Sequence, residues 1–288
     1  MASQRRVREQ PFADKMAIVC GGSMGIGKET AKEIALLGGS VCLVARRREP
    51  LEATAREIEE IKRGDSQFVE TLRCDATDAE RFKPLLTDFV ERRGVPDYLI
   101  NCVGYARPKY VQDLMLGDFR ERMDTNYYGQ LVPILLLLPY FLEARRGHIA
   151  NVSSMMGYFG IIGYTAYAPT KFALVGLTDA LRHELKPYNI RCSVLYPPDT
   201  DTPGFEKENE TKPRECAIMS STVKLLSAQK VAEVFVEGIL KKRVAIMPGE
   251  AGMVWRLNRL FPWLVRWVTD RQYEQARRKA GRVEAGVR

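Results

Sequence analysis

Short apolar runs recur along this chain at regular spacing, and between them apolar residues return every three or four positions. The runs at 16–20, 41–45, 67–74, 97–100, 148–152 and 191–196 are rich in Val, Ile, Leu and Cys and read as six strands. A short run without a polar face suits a strand covered on both sides, as in a parallel sheet. Helical periodicity fills about 28–37, 49–63, 78–93, 111–126 and 128–145, and a further helix is expected to begin at 166 or just after. Pro169 has no amide proton to donate, so it belongs in that helix's first turn.

Strands that alternate with helices at this spacing predict a parallel sheet joined by right-handed crossovers, an α/β, Rossmann-like doubly wound fold. No linker or shift in composition interrupts the pattern before about 241. The expected organisation is a basic N-terminal tail (1–14), one nucleotide-binding domain (15–247) and a C-terminal amphipathic helical extension (248–288). Residues 131–142 hold seven Leu and Ile, but twelve residues make roughly 18 Å of helix against about 30 Å of hydrocarbon. With Pro133 and Pro139 inside it, this segment is expected in the core or at a subunit interface.

Composition narrows the function. With 45% hydrophobic and 28% charged residues, the chain is an ordinary soluble globular protein. Six cysteines without a C-x-x-C pair are expected to be free thiols in a reducing compartment. Only two histidines exist, His148 beside a strand and His183 in a helix, which leaves little for a Ser-His-Asp triad or a metal site, and no metal is expected. Arg5, Arg6 and Arg8 precede no apolar stretch, so no signal peptide is expected.

The net charge of +8 lies wholly at one end. From 241 onward twelve Lys and Arg face four acidic residues, whereas residues 1–240 carry 32 of each sign. All three tryptophans (Trp255, Trp263, Trp267) fall in the same region. On a helical wheel Arg256, Arg259 and Arg266 share a narrow face opposite a stripe of Met253, Leu257, Leu260, Leu264 and Val268, and Pro262 is expected to divide the stretch into two short helices. Basic edge, aromatic flank and apolar face describe a helix lying in a headgroup layer, with about 1 kcal/mol for each basic residue near an anionic surface. The alternative is a helix packed on the domain at a dimer interface or substrate entrance. Nucleic acid is not an expected partner, because these aromatics lie among aliphatics.

Three motifs carry chemistry. Gly21-Gly-Ser-Met-Gly25-Ile-Gly27 sits between a strand and a helix, where glycines allow close backbone approach to a pyrophosphate and a helix N-terminus offers free amides. At the end of the second strand Ala45 is followed by Arg46-Arg47-Arg48, where an NAD-preferring site usually has an acid. A guanidinium there binds a 2′-phosphate, which points to NADP(H). Finally, Ser154 follows a strand, and Tyr167 and Lys171 are spaced to share a helical face. An ammonium about 4 Å from a phenol would favour the phenolate and let tyrosine act as acid or base.

Gly21, Gly25 and Gly27, Asp75, Asn101-Cys-Val-Gly104, Asn126, Ser154 and the Tyr167/Lys171 pair together resemble the short-chain dehydrogenase/reductase family over about 15–247. The resemblance implies that Tyr167 exchanges the proton with the substrate oxygen and Ser154 hydrogen-bonds that oxygen. It further implies that Lys171 holds the nicotinamide ribose and lowers the tyrosine pKa, that Asn126 positions a relay water, and that Asp75 contacts adenine. NADP(H) would lie along Gly21, Ser23, Gly25, Ile26, Gly27, Arg46, Arg47, Asp75, Asn101, Gly104, Tyr167, Lys171, Pro197, Thr200 and Thr202. Cys20 and Val103 depart from the family's usual Thr and Ala, and Pro198 replaces a usual glycine.

The long segment 196–213, with Val44-Ala-Arg46 and Lys186-Pro-Tyr-Asn189, looks like the 3-ketodihydrosphingosine (3-dehydrosphinganine) reductase branch. That likeness implies NADPH-dependent reduction of a long-chain base's 3-oxo group. The alternatives are a reductase of another oxo-lipid, 3-oxoacyl or steroid, and a non-catalytic NADP-binding regulatory protein. Expected partners are a long-chain lipid substrate, further copies in a homodimer or homotetramer, and an anionic membrane surface touched from the cytoplasm.

Overall fold

The computed structural model describes residues 9–221 and 223–286, with side chains to 281. Arg5, Arg6 and Arg8 of the basic tail, and Arg288 of the C-terminal charge excess, lie outside the described residues. The chain runs β1 (Met16–Cys20), α1 (Gly25–Leu36), β2 (Ser40–Ala45), α2 (Arg48–Ile61), β3 (Val69–Arg73), α3 (Ala79–Arg93) and β4 (Tyr98–Asn101). It continues through α4 (Leu116–Met123), a π turn (Asp124–Tyr128), α5 (Gly129–Ala144), β5 (Gly147–Val152), α6 (Ala168–Glu184) and β6 (Ile190–Leu195). The rest is β7 (Thr200–Asp201), α7 (Pro203–Asn209), α8 (Arg214–Ser220), β8 (Leu226–Ser227), α9 (Ala228–Leu240), β9 (Ala245–Ile246), α10 (Ala251–Leu260) and α11 (Pro262–Gly286).

Seven strands form one parallel sheet in the order β3-β2-β1-β4-β5-β6-β9. Alternate strand residues feed two cores. Ala17, Val19, Val41 and Leu43 face α1, α2 and α9 through Ile34, Leu51, Ile58 and Phe235. Ile18, Cys20, Cys42 and Val44 face α3, α5 and α6 through Phe82, Phe89, Ile134, Phe141 and the half-buried Leu177. Burial on both faces is why the central strands β1, β2 and β4 are largely apolar, whereas the edge strand β3 is partly exposed and carries Glu70, Thr71 and Arg73. All six cysteines are free thiols, five of them buried.

Strand order reverses between β1 and β4. In doubly wound sheets ligands bind outside the carboxyl ends of the strands at such a switch point. The loops after β1 and β4 lie so close that a Cβ on Gly21, at φ +79°, would meet the carbonyl carbon of Cys102 at 2.9 Å.

The structure departs from the periodicity in three places. The two helices expected over 111–126 and 128–145 are one continuous run, Leu116–Ala144, of 29 residues. The π turn bridges them, so their length no longer argues against a membrane span. Position decides instead: Ile134, Leu137 and Phe141 are fully buried against the sheet and α3. The two-residue strand β9 is too short to leave a pattern. The C-terminal extension does break at Pro262, but its second helix is long, at 25 residues.

Candidate active site

A cavity of about 1160 Å³ opens at the switch point. It exceeds the roughly 300–1,000 Å³ usual for one drug-sized ligand. Gly21, Ser23, Gly25, Ile26, Gly27, Arg46, Arg47, Asp75 and Gly104 line one part of it, and Ser154, Tyr167, Lys171, Pro197, Thr200 and Thr202 line another. Thus most of the sequence-predicted residues line one cavity.

The groove fits a dinucleotide by its shape. A Cβ on Gly27 would lie 2.2 Å from the Gly21 carbonyl oxygen, and one on Gly104 would lie 3.0 Å from Lys171 Nζ. Only bare backbone can occupy these positions. The first turn of α1 has no side-chain cap, so its amides remain for a ligand's phosphates. Arg46 stands at the end of β2 with its guanidinium 3.4 Å from an Asp75 oxygen. Burial works against the Asp75 carboxylate, but the Thr77 amide and hydroxyl and Arg46 more than offset it, holding its pKa below the usual value.

Two predicted residues lie elsewhere. Asn101 is fully buried at the end of β4 and does not reach the cavity. Its amide nitrogen bonds Asn151 Oδ1 at 2.9 Å, tying β4 to β5. Asn126 is likewise fully buried, inside the π turn. It accepts from the Tyr105 amide at 2.9 Å and donates to the Tyr105 carbonyl and the Thr170 hydroxyl, both at 3.1 Å. Its side chain therefore fixes the loop after β4 and the start of α6 rather than facing a ligand. π turns inside helices frequently occur at functional sites.

Tyr167 immediately precedes α6, Pro169 lies in that helix's first turn, and Lys171 follows one turn later. The Lys171 ammonium donates to the Val152 carbonyl at 3.0 Å and lies 5.5 Å from the Tyr167 ring centre. Burial pulls its pKa down to about 8. The expectation that Lys171 lowers the phenol's pKa is not what the geometry shows. Burial pushes Tyr167 well up, Glu208 and Asp199 add to the effect, and only the Ser154 hydroxyl opposes it. At neutral pH the phenol therefore keeps its proton, the state required to donate one to a carbonyl oxygen. His148, bonded to Ser193 at 2.7 Å, is buried and held neutral, its pKa lowered to about 4.

Several site residues escaped the sequence reading. Gln130, a lone polar residue in an apolar run, is fully buried and donates to both the Val103 and Val152 carbonyls at 2.9 Å. Gln130 does not itself line the cavity, whereas Tyr164, Asp199 and Glu208 do. A polar stretch at 206–213 was the only signal for the last of these.

Comparison with known proteins completes the picture. The short chain dehydrogenase family model matches residues 15–213. This chain belongs to that family. It is therefore an oxidoreductase of carbonyl and alcohol groups that uses a nicotinamide cofactor. A 3-dehydrosphinganine reductase from Danio rerio is 40% identical over 76% of this chain and 67% of its own. A 3-ketodihydrosphingosine reductase from Dictyostelium discoideum is 37% identical over 78% and 72%. Among solved structures, levodione reductase superposes with a TM-score of 0.75 at 24% identity, covering 84% of this chain and 98% of its own. A short chain dehydrogenase/reductase from Burkholderia phymatum in complex with NAD gives 0.77 at 22%, covering 88% and 95%. These two likenesses are of fold.

The C-terminal helices wall part of the cavity. Asn258 donates to the Tyr158 carbonyl at 2.7 Å, and the Tyr158 hydroxyl donates to the Ala251 carbonyl at 3.0 Å. Leu257, Leu264 and Val268 line the rim, while Met253, Leu260, Phe261, Trp263 and Trp267 remain exposed. The expected apolar stripe is thus divided between the cavity mouth and the outer surface.

Proposed function

We propose that this protein reduces the 3-oxo group of 3-ketosphinganine to an alcohol with NADPH. The observation that carries the reading is the Ser154–Tyr167–Lys171 group at the end of a largely apolar cavity, in a chain 37–40% identical to four reductases named for this substrate. Bound NADPH supplies a hydride to the carbonyl carbon. The Ser154 hydroxyl orients the carbonyl oxygen, and the Tyr167 phenol gives it a proton. Lys171, anchored on Val152, would hold the cofactor's ribose and help the phenol reprotonate. Asn126 and Gln130 act as positioning residues: Asn126 ties the loop after β4 to the start of α6, and Gln130 ties that loop to the end of β5. Arg46, with Arg47 beside it, favours the 2′-phosphate, and Asp75 keeps its guanidinium in place.

The test is purified protein with NADPH or NADH, supplied with 3-ketosphinganine and, in parallel, a 3-oxoacyl substrate of equal length. Oxidation of NADPH by 3-ketosphinganine, with NADH much poorer, is the expected result. Turnover of the 3-oxoacyl substrate alone would replace this reading with that of another oxo-lipid reductase. No turnover of either would favour a binding protein.

We place the enzyme on the cytoplasmic face of an anionic membrane, held by the exposed Leu260, Trp263 and Trp267 and the arginines around them. The lipid would then pass from the bilayer over Leu257, Leu264 and Val268 into the cavity. Because α10 and α11 also wall the cavity, point variants test this better than deletion. Trp263→Ser with Trp267→Ser should weaken co-sedimentation with vesicles containing phosphatidylserine on the order of tenfold, and salt should weaken it further. Unaltered binding would sink the idea. The exposed Leu135 and Phe172 on α5 and α6 are where we place contacts between copies.

A further inference from the structure

The segment after β6 places ionisable groups in the wall of an otherwise mostly apolar cavity. Asp199 follows that strand and Glu208 lies near the end of α7; both line the cavity. Glu208 Oε1 accepts from the Tyr164 hydroxyl and lies 3.3 Å from Lys212 Nζ. Among the described residues Oε2 accepts no hydrogen bond. Lys212 also reaches the Ser220 hydroxyl at 3.4 Å, and Ser220 in turn hydrogen-bonds Asp199.

This group stands beside the reacting centre. The Tyr164 ring, which carries the Glu208 contact, packs 5.8 Å from the Tyr167 ring. Both carboxylates are near enough to act on the Tyr167 phenol. Two carboxylates share one buried ammonium, that of Lys212, whose side chain is 1% exposed. Burial pushes both carboxyls up despite Lys212. Negative charge left partly uncompensated in an apolar wall favours an incoming cation.

The substrate of the proposed reaction brings one. Its ammonium sits on the carbon next to the ketone, so it must lie beside Tyr167 whenever the carbonyl does. We propose that Glu208 and Asp199 are the receptor for this ammonium and make the enzyme select a 2-amino-3-ketone over an oxo-lipid without nitrogen. The inference rests on the reading of the substrate given above. It also links recognition to chemistry: an ammonium seated there cancels negative charge that opposes ionisation of the phenol, so the correct substrate strengthens the acid.

The experiment compares kcat/KM for 3-ketosphinganine and for a des-amino analogue, a 1-hydroxyalkan-3-one of equal length, with NADPH saturating. Wild type should favour the amine by about 10- to 100-fold, the range for a charge-assisted hydrogen bond. In Glu208→Gln, Asp199→Asn and the double variant that ratio should fall towards one, chiefly through KM. NADPH fluorescence titration identifies the variants that fold. An unchanged ratio in a variant that binds NADPH would overturn the inference. If none folds, the wild-type ratio decides, and a value near one overturns it. Failure of the substrate reading looks different, because wild type would then leave 3-ketosphinganine unreduced.

Discussion

Tyr167→Phe should lower kcat for ketone reduction by about 10²- to 10⁴-fold, the usual contribution of a positioned general acid, with NADPH affinity little changed. The substitution removes one oxygen and keeps the ring that packs on Tyr164. Ser154 loses its bond to the phenol but still accepts from the Met156 amide at 3.1 Å. Stability should therefore change by no more than about 1 kcal/mol. Single-turnover NADPH oxidation with saturating ketone reads the chemical step directly. A variant that kept more than about a tenth of the wild-type rate would remove Tyr167 from the role of acid. Because burial, Glu208 and Asp199 hold the phenol well up, wild type should retain its proton donor throughout the neutral range.

Lys171→Met should move activity and stability in opposite directions. Its ammonium is buried, and burial lowers its pKa from 10.5 to about 8. A charged form disfavoured by folding costs stability at neutral pH, about 3 kcal/mol for this shift as an upper figure. The sign follows from proton counts: between pH 8 and 10.5 the unfolded chain binds the proton and the folded chain does not. Wild-type stability should thus rise with pH across that window and be lowest, for this group, below it. Methionine fills similar space without the charge, and the Val152 carbonyl keeps its bond from Gln130. The variant should therefore unfold at higher denaturant concentration at pH 7 and lose the pH-dependent gain. Its kcat/KM should fall by about 10²-fold or more. In wild type, kcat/KM should decline above about pH 8 as the free enzyme's ammonium deprotonates. Lower stability at pH 7 together with a flat alkaline profile would contradict the assignment.

These expectations draw on two kinds of information. The strands, the glycine turn and the Tyr167/Lys171 pair were legible in the chain because each depends on near neighbours. An apolar run buried on both faces, a Cβ-free turn and two residues one helical turn apart need no knowledge of what packs where. Asn101 was not legible in this way. It sits at the expected motif, yet it faces Asn151 across the sheet, and the pairing of β4 with β5 decides that. The break expected near residue 127 was likewise absorbed by a π turn around Asn126, whose partners come from Tyr105 and Thr170.

The C-terminal helices divide along the same line. Their amphipathic pattern, aromatic residues and charge are local properties, and so is the break at Pro262. Whether the stripe faces lipid or protein depends on what lies opposite, and the fold divides it between the cavity rim and the surface. The chain by itself determined the doubly wound core and the nucleotide groove, because periodicity and glycine spacing encode them, and its resemblance to a family pointed to the candidate catalytic group. Tertiary structure alone decided the protonation of Tyr167 and Lys171 and brought Glu208 and Asp199 beside them. Burial and charge proximity arise from segments distant in sequence, and no local pattern records which of them will meet.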